Sequence, residues 1–194
     1  VAIEYADLHS ILDAFAHYFH NGQITYEAFV DGVAYGGREY VEHPKAFGVP
    51  ERNVAYVQST RKSVDDIIAF LSEHEEELDS LDIVAADTAL YQKIEEQIPL
   101  VTKSVYTTSA VSYRLEISHK NSGKATGLAY VLKLLDITPE ETVAFGDGDN
   151  DAEMLEFAGL GVAMENATEN CKAAADIVCD CCKNDGVARF LYGF

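Results

Sequence analysis

From residue 119 onward the chain alternates short apolar runs with short helical stripes. This alternation restricts the fold more than any other feature. Leu128, Val131, Leu132 and Leu135 share one face of a predicted helix. Thr138-Pro139-Glu140-Glu141 is a capping box with proline at the first helical position. "TVAF" reads as a short buried strand, "DAEMLEFAG" as a short helix ended by Gly159, and "GVAM" as another strand. "ENCKAAA", "DIVC" and "DGVARFLYGF" continue as helix, strand and helix. Short strands that are apolar throughout and separated by helices pair in parallel. Residues 119–194 therefore read as part of a Rossmann-like α/β core.

Residues 1–118 follow a different pattern. Leu8, Ile11, Leu12, Phe15 and Phe19 recur at helical spacing, and Asn21-Gly22 ends that helix. "ITYEAFV-DG-VAYGG" places two strand-like runs around Asp31-Gly32, a hairpin signal. Ser63 is expected to cap a second helix with Asp66 three residues on, and "EHEEE" (73–77) to form its solvated face. "LDIVAAD" (81–87) reads as a strand. Leu90, Ile94 and Ile98 form a third helical stripe, expected to close at Pro99. Strands are expected at about 100–106 and 111–118; in the second, Val111, Tyr113, Leu115 and Ile117 alternate with polar residues. The expectation is an α+β domain over 1–118, an antiparallel sheet with helices on one side. Asn121-Ser122-Gly123 is a plausible hinge before the 119–194 core.

Charge limits the partners. Fourteen basic residues against 33 acidic ones leave a net −19. A nucleic-acid surface needs a basic footprint, and a polybasic membrane anchor needs the same. No apolar run approaches the ~20 residues of a membrane helix, and no signal-peptide pattern opens the chain. Cys171, Cys179, Cys181 and Cys182 crowd the C-terminal end, whereas a disulfide framework would spread them. A reducing, cytoplasmic location is expected. Cys-x-Cys-Cys could hold a soft metal, but no His or Cys stands at zinc-finger spacing. The first residue is Val1 and the methionines are Met154 and Met164, so a processed or truncated chain is expected.

"VAFGDGDND" (143–151) packs Asp147, Asp149 and Asp151 into five positions. Two carboxylates about 4 Å apart repel by roughly 4 kcal/mol at an effective dielectric of about 20. A solvated turn or a bound cation relieves that repulsion. In an EF-hand loop the next residue would be glycine and the twelfth glutamate; here they are Ala152 and Ala158. The loop follows a buried strand, and parallel sheets bind ligands at the carboxyl ends of their strands. Asn150 and Asp151 stand at a helix start, where backbone N–H groups favour anions. Oxygen ligands there suit Mg²⁺ together with a substrate phosphate.

"AFGDGDNDAEMLEFAGLGVAMENA" resembles the fourth motif of the haloacid dehalogenase-like phosphatases of the Cof-type (IIB) branch, G-D-G-x-N-D followed by a Met-Leu helix and G-V-A-M-x-N-A. "ADIVCDCCKNDGVARFL" is similar to that family's closing segment, and "EISHKNSGKATGLAYVLKLLDITPEETVAFGD" to the stretch carrying its motif-three lysine. The match is close over about 116–194. Over 1–115 it rests on element order, which fits the family's αββ(αβαβ)αββ (C2B-type) cap. The resemblance implies a Mg²⁺-dependent phosphatase of small phosphorylated metabolites such as sugar phosphates. It implies Asp147 as direct metal ligand, and Asp151 as holder of a metal-bound water or orienter of Lys124. Asn150 is implied to contact the phosphoryl group or fix the loop, and Lys124 to pair with the phosphate and the nucleophilic aspartate. Asp149 falls at a variable position and is expected to be solvated. Lys120 is the rival lysine; Lys124, 23 residues before Asp147, suits the pattern better.

The family begins its chemistry from an N-terminal D-x-D-G-T/S, whose first aspartate attacks phosphorus and whose second acts as acid and base. This sequence has no such motif. Asp31-Gly32 has Phe29 where the nucleophile should stand and Val33 where threonine should, and Asp87-Thr88 lacks the second aspartate and the glycine. The expectation is a chain missing motifs one and two, inactive alone, that self-associates or pairs with an N-terminal fragment through an exposed sheet edge. The alternative is a non-catalytic binding module. The sequence does not show which cap residues bind substrate.

Overall fold

In the computed structural model, which describes residues 1–193, the hairpin is where the sequence puts it. Strand β1 (Ile24–Val30) turns at Asp31 and Gly32, φ 50° and 71°, into β2 (Val33–Gly37). Both turn residues are left-handed, the geometry of a type I′ turn that matches strand twist. Strand β1 also pairs antiparallel with β4 (Leu78–Ala85), β4 with β6 (Arg114–His119), and β6 with β5 (Val105–Val111). Strand β3 (Arg61–Val64) extends the sheet beyond β2 in parallel, so this sheet is mixed. Its order is β3-β2-β1-β4-β6-β5.

Helices α1 (Tyr5–His20), α4 (Ile67–Glu73) and α5 (Thr88–Val101) bury the expected stripes. Leu8, Ile11 and Phe15 pack with Leu71, Leu90, Ile94, Ile98 and the sheet residues Tyr26, Ile83 and Ile117. The other face is covered as well. Helices α2 (Arg38–Glu42) and α3 (Glu51–Thr60), joined through a 3-10 turn at Pro44–Phe47, bring Tyr40, Phe47, Val49 and Val57 onto Val84 and Tyr113. The expectation of helices on one side is corrected here. Val57 is the one buried residue of α3, which leaves too weak an apolar stripe to read.

Three boundaries also move. Ser63 lies in β3, and Asp66 caps α4 by accepting from the N–H groups of Ile68 and Ala69 at 2.9 and 3.1 Å. Residues 74–77 form a turn beyond α4 rather than its solvated face. Pro99 lies inside α5, which runs on to Val101 and pushes β5 to Val105. A proline near a helix end forfeits one hydrogen bond, which packing offsets.

Across this second face Glu27, Asp82 and Glu116 stand directly opposite one another on β1, β4 and β6. Glu27 is fully buried and holds Arg61, which donates from Nε and Nη2 at 3.0 and 2.8 Å. Tyr40 donates its hydroxyl to the same carboxylate at 2.5 Å. Arg114 donates to Glu116 at 2.8 Å and places Nε 3.3 Å from Asp82 without hydrogen-bond geometry.

The chain divides into two compact units, the first Val1–Lys120 and the second starting at Asn121. In the second, α6 (Lys124–Leu135) precedes a 3-10 turn at Pro139–Glu141, where Glu141 accepts from the Thr138 N–H at 2.9 Å. Strands β7 (Val143–Gly146), β8 (Leu160–Met164) and β9 (Ile177–Cys179) pair in parallel in that order. Helices α7 (Ala152–Phe157) and α8 (Glu169–Ala173) connect them, and α9 (Gly186–Tyr192) follows. The core is small: Ala144, Leu155, Ala163, Met164, Ala167 and Cys171. On α6 only Leu132 is buried; Val131, Leu134 and Leu135 are 47%, 66% and 61% exposed.

Candidate active site at the carboxyl end of the parallel sheet

Strand β7 ends at Gly146, and the acidic loop starts there. A Cβ on Gly146 would stand 2.5 Å from Asp151 Cβ. Glycine at this position is what lets Asp151 fold back under the strand end. Asp151 is 4% exposed, and both its oxygens are engaged. Oδ2 accepts from the N–H groups of Asp147 and Gly148 at 2.9 and 3.0 Å, and Oδ1 pairs with Lys124 Nζ. Burial alone would raise this carboxyl. The Lys124 ammonium and the two N–H groups outweigh it and hold the carboxyl below the usual range. The Asp147 and Gly148 amides are thus taken up by the loop's own aspartate.

Lys124 is the first residue of α6, with its side chain about half exposed at 48%. Lys120, the rival lysine, lies past the end of β6 in the first unit. Asp147 and Asn150 are exposed on the loop. Asn150 Oδ1 turns back over Gly148, where a Cβ would meet it at 2.8 Å. The structure thus brings Lys124, Asp147, Asn150 and Asp151 to one strand end.

The three aspartates do not converge. Asp149 is exposed but not merely solvated: its Oδ1 accepts from Thr168 Oγ1 at 2.6 Å. Thr168 also caps α8 by accepting from the Cys171 N–H at 3.2 Å, and its own N–H donates to Asp147 O at 3.1 Å. Asp147 Oδ2 accepts from Asn166 Nδ2 at 3.4 Å. Each carboxylate therefore has its own donor, which relieves the repulsion by hydrogen bonding. The sequence reading gave no role to Asn166, which lies inside the quoted motif, or to Thr168. The signal for them was position: "ENAT" follows β8, the parallel neighbour of β7, so both strand ends face the same crevice.

The donor set fits a hard cation through Asp147, an exposed carboxylate with one oxygen engaged by a neutral amide. Mg²⁺ usually takes one or two carboxylates and keeps waters. Asp151, with its oxygens filled, fits the task of holding Lys124. Beneath the loop, burial and then the charges of Asp151, Asp147 and Asp149 push the Cys171 thiol up, so it is an inert core residue. Among the described residues, one cluster offers three metal-type ligand atoms within 4.8 Å: Glu165, Asp180 and Cys181. Asp180 is already occupied there by the Cys181 N–H, Asn184 and Arg189. No helix of the described residues is long and apolar enough to cross a membrane.

The chain is similar to known proteins in sequence and in fold. The chain is 50% identical over 80 residues to a phosphoglycolate phosphatase of Methanopyrus kandleri, covering 41% of this chain and 34% of that protein. It is 46% identical over 77 residues to a 5-amino-6-(5-phospho-D-ribitylamino)uracil phosphatase of Bacillus subtilis, 40% of this chain and 28% of that one. In fold it is similar to a haloacid dehalogenase subclass IIB sugar phosphatase, with TM-score 0.70 and 21% identity over 99% of this chain and 68% of the other. The curated matches thus span about a third of those relatives' length. A family model of haloacid dehalogenase-like hydrolases matches residues 2–191. The chain belongs to the haloacid dehalogenase-like hydrolase family.

Proposed function

We propose that this chain carries the cap, the phosphate-binding lysine and the metal-binding loop of a Mg²⁺-dependent phosphomonoester hydrolase of the Cof-type (IIB) branch. Its substrates are small phosphorylated metabolites such as sugar phosphates. The observation that carries this reading is Lys124 held by buried Asp151 at the carboxyl end of β7, beside the exposed carboxylate of Asp147. The phosphatase names of the relatives support the reaction class.

Each residue has a distinct task. Asp151 fixes Lys124 Nζ in place, and Lys124 pairs with the substrate phosphate. Asp147 is the protein ligand to the cation. When bound, Mg²⁺ offsets phosphate charge that would otherwise repel a carboxylate nucleophile. Asn150 fixes the loop and meets the phosphoryl oxygens. Residues 1–118 act as the cap that excludes water and selects substrate.

We infer that a separate segment or chain supplies the attacking aspartate. Strand β7 is an edge strand with Val143 45% exposed, and the apolar side of α6 is open. An unpaired strand edge and exposed apolar side chains each invite a partner. The four free cysteines suit a reducing, cytoplasmic compartment.

Hydrolysis of p-nitrophenyl phosphate tests this. The 194-residue chain should show no Mg²⁺-dependent turnover, and turnover that disappears in Asp147→Ala would show that a nucleophile lies within it. In an assembled enzyme, Asp147→Asn should lower kcat by about 10²-fold or more, the scale of losing one transition-state charge partner. Retained activity sinks the metal assignment.

A further inference from the structure

We propose that Asn166 is a positioning residue that orients Asp147 for a divalent cation, and that the Cys182 backbone N–H holds Asn166 in place. The inference rests on Asp147 being the cation ligand. Asp147 is already pinned through its main chain: its N–H is on Asp151 Oδ2 and its carbonyl accepts from Thr168. What is left free is rotation of its carboxylate. Asn166, just beyond β8, restricts that rotation by donating Nδ2 to Asp147 Oδ2 at 3.4 Å.

The two ends of the Asn166 amide are not interchangeable. Its Oδ1 accepts from the Cys182 N–H at 3.3 Å. A flipped amide would set N–H against N–H at Cys182 and oxygen against oxygen at Asp147. The Cys182 N–H therefore decides that the NH₂ end faces the carboxylate. With Oδ2 engaged, Oδ1 of Asp147 is left for the cation, giving the one-oxygen ligation that Mg²⁺ accepts. Asparagine is uncharged, so it aims the carboxylate without competing for its charge. Hydrogen bonds to ligating carboxylates of this kind typically change metal affinity by about 10–100-fold.

The fold offers a clean way to remove the outer donor. Cys182 is the first residue of a 3-10 turn, Cys182–Asn184, and Cys181 before it is extended at φ −71° and ψ 164°. That backbone accepts proline, which removes the N–H together with an exposed thiol. The probe is Mn²⁺, read as the free ion by electron paramagnetic resonance while the 194-residue chain is titrated in. Asp147→Asn should abolish saturable binding. Asn166→Leu should weaken it about tenfold, and Cys182→Pro, which leaves both side chains in place, should weaken it severalfold in the same direction. Melting temperatures in metal-free buffer should match the parent for Cys182→Pro. Loss at Asp147 with parent affinity in Cys182→Pro and Asn166→Leu overturns the positioning role alone. Parent affinity in Asp147→Asn overturns the ligand assignment and the positioning role with it.

Discussion

Asp151 is a nearly buried carboxylate that would be costly to ionise if it were unpaired. Its partners make it the keystone of the loop. Lys124→Met should therefore destabilise the second unit by about 1–2 kcal/mol, at the low end of a charge-assisted bond because Lys124 is half exposed. Chemical denaturation measures it, and an unchanged midpoint would mean that solvent replaces the lysine. Gly146→Ala should cost about 1–3 kcal/mol, because its Cβ has no room beside Asp151. The same denaturation experiment checks it, and a neutral result would mean that the loop shifts freely. The sequence marked Asp147, Asn150, Asp151 and Lys124 through their motif. It gave no role to Asn166, although the motif includes it, or to Thr168, because their contacts to Asp147 and Asp149 depend on how β8 sits beside β7.

Among the elements, the sheet of the first unit carries an unusual row. Glu27, Asp82 and Glu116 share two guanidinium groups, Arg61 and Arg114, with the Tyr40 hydroxyl on Glu27. Burial is the main reason the Asp82 carboxyl is pushed well above its usual range; Arg114 opposes this, and Glu27 and Glu116 add to it. A carboxyl raised in the folded state binds a proton that the unfolded chain has released. Stability should then fall as pH rises from the unfolded carboxyl value, about 4, up to the folded one. Asp82→Asn mimics the protonated form and should lack this slope. Urea unfolding across that range should show the variant gaining on the parent as pH rises. Parallel curves would mean that Asp82 is ionised throughout. The alternation of Leu115 and Ile117 with polar neighbours revealed that the strand has two faces. It did not reveal that α2 and α3 cover the second one, since that burial comes from residues distant in sequence.

At the scale of the whole molecule, Tyr130, Val131, Leu134 and Leu135 of α6 and Val143 of the edge strand β7 are each exposed apolar residues. Exposed apolar area of this kind drives association. The chain should self-associate with rising concentration, and Leu134→Glu with Leu135→Lys should reduce it, as sedimentation would show. A monomer at all concentrations would mean that the edge is inert. What the sequence determined by itself was local. Hairpin turn chemistry, helical stripes, capping residues and strand alternation depend on neighbours a few positions away, so α1, β1, β2 and the strand-helix order after residue 119 were all readable. The acidic loop was readable too, because its residue types stand in a fixed order. Tertiary structure alone decided which carboxylate meets which donor. It also decided that β3 joins in parallel, that the sheet's second face is covered, and that most of α6's apolar stripe stays exposed. Those outcomes depend on contacts between residues far apart in the chain, and periodicity carries no information about them.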